Sequence, residues 1–415
     1  MSRSGPLLLS IGVVAIEFAA AVTGFVASTL LPVVAVDLAA KDQLGLLIAG
    51  TTLGLFVALP LASRVLNRLG ARATLAAGMI SYLGGLALAA TSQTAWVFAL
   101  GQFCAGTASG LLGVFGISAA IQHLDDRLRV RVVAVSSAMW IVPALVGPAA
   151  TLGLEQLVGW RWTLLLPVPF VLFGRLLVVR AVRSPVDAAP RPWGRTLLIP
   201  LGALVVVLSA GWWPPAIVGA SVTVVGMMSL MPTGTARLRP GTPAALGAMM
   251  LFGVGYFGAD SLITVLLTDG FRMSLGQAAV ILSAAPLGWA VTSLVAAQLT
   301  SPHLPAIGLG MTALATGAIA LGGSFPVLLI AWGVGGIGVG LAYPGLYVRA
   351  TTAGSSGFTA TELATAVITA ECTGQLLGRA IGGALASTST WGLFASYAVF
   401  TLALAAAALA ARARS

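Results

Sequence analysis

The stretch Val142–Trp162, VPALVGPAATLGLEQLVGWRW, sets Gly147 and Pro148 into the middle of a run that is otherwise almost wholly apolar. A proline inside a helix removes one backbone hydrogen bond and clashes with the preceding turn, at a cost of about 3 kcal/mol or more. In lipid such a break is tolerable where neighbouring helices or a cavity satisfy the freed backbone groups. Small residues such as glycine also let helices approach closely. The stretch therefore reads as a membrane helix bent against a partner, and the rest of the chain decides whether its solvent is lipid.

Of 415 residues, 58% are hydrophobic and 8% are charged, where a soluble domain carries about 25% charged residues. Apolar runs of about 20 residues, the length a helix needs to cross about 30 Å of hydrocarbon, recur along the chain. This excludes an ordinary water-soluble globule and implies an all-α polytopic membrane protein. Windows of about 19 residues place spans at 8–36, 43–63, 73–92, 95–120, 131–154, 161–181, 196–213, 215–232, 244–268, 275–298, 304–322, 326–348, 360–386 and 389–411. The count is fourteen. The seventh and eighth runs are short and joined by a tight GWWPP turn, so twelve spans plus a hairpin is the alternative. Polar connectors at Arg183–Arg195 and Pro232–Thr242 flank that pair. The chain divides accordingly into a six-helix bundle (1–182), a linker with a two-span insert (183–243) and a second six-helix bundle (244–415).

The net charge of +10 comes from basic residues placed singly or in threes at the ends of apolar runs, which reads as topology rather than a nucleic-acid patch. With the N-terminus inside, inner connectors and tails carry sixteen arginines and outer connectors three basic residues, Lys41, Arg161 and Arg272. The positive-inside rule then puts both termini in the cytoplasm. A single lysine among 21 basic residues, with abundant glycine, points to a GC-rich genome and a bacterial inner membrane. Cys104 and Cys372 lie in separate apolar runs without metal-ligand spacing. No phosphate-binding glycine loop, zinc cluster or nucleophile triad occurs, so the expectation is no enzyme and no cofactor.

The opening stretch is the fifth span. It resembles the Gly-Pro motif in the fifth helix of major facilitator superfamily exporters, the drug:proton antiporters, through Gly147, Pro148, Gly153 and the GWRW of Gly159–Trp162; Thr151 and Leu152 stand where further glycines are usual. The connector SRVLNRLGAR, Ser63–Arg72, is similar to that superfamily's cytoplasmic gating loop. Arg68, Gly70 and Arg72 match, whereas Asn67 replaces the usual aspartate. In the first span, Leu31, Pro32, Asp37 and Leu38 match the exporter pattern, and Thr23 stands where an acid is usual. In the fourth, LGQFCAGTASG carries Gln102 in place of an arginine. GVGLAYPGL in the twelfth span belongs to the same resemblance. The resemblance implies two six-helix bundles, alternating access, and coupling to a proton gradient.

Charges within spans are functional candidates, since each costs about 2.5–3.5 kcal/mol or more at mid-membrane. Glu17 lies in span one, Asp260 in span nine and Glu371 in span thirteen. Spans one and nine open their respective halves, so Glu17 and Asp260 are expected to line the central cavity together. Glu371, Gln375 and Arg379 recur every four residues and so share one helical face, with Arg379 either snorkelling outward or pairing with a carboxylate. Trp289 is set inside the tenth span, as packing or as cavity wall. Trp140, Trp160, Trp162, Trp212 and Trp213 read as an interfacial belt.

These readings lead to a proton-coupled exporter of amphipathic or hydrophobic small molecules, a monomer in the bilayer with protons and substrate as partners. A facilitator importing a nutrient is the alternative within transport. A transport-inactive sensor with the same fold is the alternative outside it, because Thr23, Asn67 and Gln102 have lost the usual charges.

Overall fold

Helices follow the apolar runs. The computed structural model describes residues 4–40, 44–139, 141–181, 194–209, 212–299, 301–353, 357–386 and 390–412, and among them no strand occurs. The order is α1 (Ser4–Asp37), α2 (Leu44–Ala90), α3 (Ala95–His123), α4 (Asp126–Ala138), α5 (Ile141–Val158), α6 (Trp160–Thr163), α7 (Val168–Ala181), α8 (Leu198–Leu208) and α9 (Trp213–Met228). There follow α10 (Thr242–Phe252), α11 (Gly258–Val265), α12 (Leu275–Ala296), α13 (Leu304–Leu321), α14 (Phe325–Ala350), α15 (Ala360–Ala386) and α16 (Thr390–Arg412). Nine stretches of the described residues are long and apolar enough to cross a membrane, or ten if the pair 50–62 and 64–70, bent by 61°, counts as one. At about 1.5 Å per residue, α8 and α9, with 11 and 16 residues, fall short of the about 30 Å of a full crossing.

Two motif glycines explain local breaks. Gly70 has φ 72° inside α2 and divides it into two helices, and Gly159 has φ 81° where α5 gives way to α6. Both are left-handed conformations that cost a residue with a Cβ about 1–2 kcal/mol. Gly147 and Pro148 sit inside α5, and the apolar helical span that begins at Asp126 ends at Gly147, where the Gly-Pro pair stands. The side chain of Pro148 lies outside the described residues, as do those of Arg72 and Trp140.

The core has three parts. One gathers residues from Leu9 to Val178, with Leu30, Phe98, Phe115 and Trp160 among them. Another runs from Met227 to Ala411 around Phe252, Trp332, Tyr397 and Phe400. A smaller one joins Phe56 and Leu59 of α2, Val114 of α3, Ile199 and Ala203 of α8 and Leu376 of α15. The insert thus packs where the two bundles meet, with α8 on α2 and α9 on α15. Further contacts across the seam are α3 with α15, α4 with α12 and α14, and α5 with α12.

Between α10 and α11 the chain forms a π-helical turn, Gly253–Phe257, and a second one follows at Leu266–Gly270. The first is where α15 approaches most closely: a Cβ at Gly374 would meet the Met250 carbonyl oxygen at 2.3 Å, and one at Gly378 would meet that of Val254 at 2.4 Å. Small residues on α15 let it nest against the widened helix.

Candidate functional site

α15 holds the charged group nearest the middle of the seam. Glu371 is half-buried and accepts a hydrogen bond from Tyr343 Oη of α14 at 3.1 Å through its Oε2. Tyr347, one turn further along α14, sets its ring 5.9 Å from that of Tyr343 at a tilt of 39°. Glu17 of α1 lies within electrostatic range of Glu371 and of both tyrosines. Two carboxylates, Glu17 of α1 and Glu371 of α15, thus share one electrostatic environment with a pair of phenols, of which Tyr343 touches Glu371.

Asp260 is not part of that group, contrary to the expected pairing with Glu17. It lies within electrostatic range of Arg379, Tyr256 and Tyr397, on the side where α11 meets α15 and α16. The reason is the π turn just before it: an extra residue rotates everything downstream by about 100° relative to a continuous α-helix. Arg379 is exposed and lies within electrostatic range of Asp260. Gln375 is half-buried between them, its backbone nitrogen 3.2 Å from where a Cβ on Gly253 would sit.

Trp289 joins an aromatic cluster beside Glu371. Its ring lies 5.3 Å from Tyr343, 5.5 Å from Tyr256 and 6.2 Å from Phe252, and Tyr256 stacks on Trp332 at 5.7 Å. The indole Nε1 of Trp289 is buried without a hydrogen-bond partner among the described residues. Apolar walls with a few convergent polar groups are the make-up of small-molecule sites.

The positions with lost charges are filled by neutral bonds. Gln102 is buried and its Oε1 accepts from Thr51 Oγ1 of α2 at 3.0 Å. Thr23 Oγ1 donates to the Ala19 carbonyl at 2.7 Å and shares a hydrogen bond with Tyr82 Oη at 3.1 Å. Asn67 and Arg68 are exposed on α2 just before its break at Gly70. At the opposite end, Asp37 accepts from Arg161 Nη1 at 2.8 Å and from Trp160 Nε1 at 3.2 Å. Arg161 also reaches the Ser92 carbonyl at 3.0 Å and lies 4.3 Å above the Trp160 ring. Trp160, expected in the interfacial belt, is 5% exposed and holds this cluster instead.

Residues that the sequence reading passed over are Arg175, Arg129 and the tyrosines. Arg175, within α7, is 4% exposed and donates to the Leu75 carbonyl at 3.3 Å. Arg129, 8% exposed, pairs with Asp126 and donates across the seam to the Thr351 carbonyl at 3.3 Å. The chain has 5 tyrosines, and every one lies in a helix. That concentration of a polar-tipped residue within apolar runs was the available signal. Among the described residues no cluster of metal-ligating side chains occurs.

The described arrangement is shared with known proteins. A probable multidrug-efflux transporter of Mycobacterium tuberculosis is 26% identical over 432 residues, covering 93% of this chain and 90% of its own length. The acurin A biosynthesis cluster MFS-type transporter of Aspergillus aculeatus is 25% identical over 215 residues, which are 50% of this chain and 38% of that transporter. In structure, the E. coli fucose:proton symporter matches with a TM-score of 0.69 at 17% identity over 100% of both chains. A human organic anion transporter matches at 0.64 and 16% identity, over 99% of this chain and 98% of its own. The model of the Major Facilitator Superfamily matches residues 13–302. With that model matching well over half of its length, the chain belongs to the Major Facilitator Superfamily, a family of membrane transporters.

Proposed function

We propose that the protein exports amphipathic or hydrophobic small molecules across a bacterial inner membrane, its termini in the cytoplasm, in exchange for protons. The observation that carries this reading is Glu371 bonded to Tyr343 beside the aromatic cluster of Trp289, Phe252 and Tyr256, with Glu17 of the other bundle within electrostatic range. Like charges in one low-dielectric site disfavour double ionisation, so proton binding and the approach of the bundles are coupled. Relatives named multidrug-efflux transporters support an apolar cargo. Glu17 and Glu371 are the proton carriers in this reading, Asp260 and Arg379 a charge pair that orients α11 against α15, and Trp289 a wall of the substrate path.

A resistance screen tests the direction of transport. Expressed in a strain stripped of its own exporters, the wild-type protein is expected to raise tolerance to at least one apolar compound and to lower its accumulation. Increased accumulation of every compound affected would instead favour an importer.

A further inference from the structure

We infer that Tyr343 and Tyr347 are positioning residues that transmit the proton load of Glu371 to the inter-bundle contact made by Arg129. This inference rests on the proton-carrying role proposed for Glu371. The path is continuous in the structure. Glu371 Oε2 accepts from Tyr343 Oη at 3.1 Å, and the Tyr343 and Tyr347 rings lie 5.9 Å apart on one face of α14. The carbonyl of Tyr347 accepts from the Thr351 N–H at 3.0 Å and from Thr351 Oγ1 at 2.9 Å. The carbonyl of Thr351 in turn receives Arg129 Nη1 from the other bundle at 3.3 Å. A cation at a helix C-terminus is favoured by the macrodipole, so Arg129 fastens α4 to the end of α14.

Between the two tyrosines sits Pro344, inside α14. It leaves the Gly340 carbonyl without its helical N–H and makes this the soft point of the helix. The last turn of α14 is thus free to tilt relative to the part that α12 holds. An ionised Glu371 grips Tyr343 by a charge-assisted bond, about twice as strong as a neutral one. Protonation weakens that grip, the turn carrying Tyr347 and Thr351 relaxes, and Arg129 loses its acceptor.

The charged and titratable groups around this path are few. Glu17 faces it from α1 and Arg129 from α4, with Asp126 bound to Arg129. Cys372 adjoins Glu371 on α15 and lies within range of Arg379. Asp260 and Tyr256 of the segment 242–270, and Tyr397 of α16, form the separate group around Arg379.

Spin labels at Arg127→Cys and Thr352→Cys, both exposed, in a Cys104→Ser, Cys372→Ser background, report the distance across the seam by pulsed dipolar spectroscopy from pH 5 to 9. The parent is expected to change distance with pH around one midpoint, and Glu371→Gln to be flat. Tyr343→Phe is expected to move the midpoint up by about one to two pH units, the effect of losing one hydrogen bond to a charged group. Tyr347→Ala, which removes the ring that touches Tyr343, is expected to keep the midpoint and at least halve the amplitude, and carries the test alone if Tyr343→Phe does not fold. Folded tyrosine variants that retain the parental midpoint and amplitude, while Glu371→Gln is flat, overturn the relay and leave the proton role standing. A Glu371→Gln protein with the parental response overturns both.

Discussion

At the scale of residues, the molecule separates charges that work across the seam from charges that tie one bundle together. Asp37 and Arg161 belong to the second kind. Their side chains are 43% and 35% exposed, and exposed ion pairs contribute about 0–1 kcal/mol. Asp37→Asn is therefore expected to lower thermal stability by less than about 1 kcal/mol, because the Trp160 and Arg161 donors keep a carbonyl acceptor. A loss of several degrees in melting temperature, measured in detergent, would give the cluster a larger structural role. The intramembrane acids were legible in the sequence because ionisable side chains in apolar runs are rare. Their partners were not: Tyr343 is polar only at its tip, and nothing along the chain says which of its neighbours the hydroxyl reaches. Arg175 was passed over although it lies within the apolar run 161–181: it was counted neither as a topology signal nor among the charges within spans.

At the scale of elements, close helix contact rather than polarity fixes how α15 meets the segment 242–270. A Cβ at Gly374 would be 2.3 Å from the Met250 carbonyl oxygen and 2.9 Å from the Gly253 Cα. Both are backbone atoms, so Gly374→Val forces the two helices apart, and overpacking of this kind costs about 1–3 kcal/mol or more. The expected result is a loss of at least half the monodisperse protein in size-exclusion chromatography, whereas Gly84→Ala, where a Cβ meets nothing within 4 Å, leaves the yield unchanged. Equal yields would mean that the helices adjust freely there. Helix positions were legible from hydropathy, and so was the irregularity of the fifth span. The exact break was not, because Pro143 and the Gly147–Pro148 pair compete within one stretch. The π turn before Asp260 was also invisible, since it depends on packing against α15 and α16. That single inserted residue sends Asp260 to Arg379 instead of to Glu17.

At the scale of the whole molecule, two bundles meet along a seam, with an insert, α8 and α9, packed at its edge and a charged centre between them. The polytopic all-helical fold was readable from the recurring apolar runs. The lengths of α8 and α9 were not, because a tight turn between apolar residues looks the same for a hairpin and for two crossings. The central claim is that this arrangement trades protons for cargo through Glu371. The most direct test is transport by reconstituted protein under an imposed pH gradient, with Hoechst 33342 as probe or, if the resistance screen finds another compound, that compound. Wild type is expected to accumulate the probe against its gradient. Glu371→Gln, which keeps the shape and hydrogen bonding of the side chain but cannot titrate, is expected to bind and exchange the probe while losing at least tenfold of the gradient-driven rate. A Glu371→Gln protein that drives uptake at the wild-type rate, with unchanged pH dependence, would contradict the account.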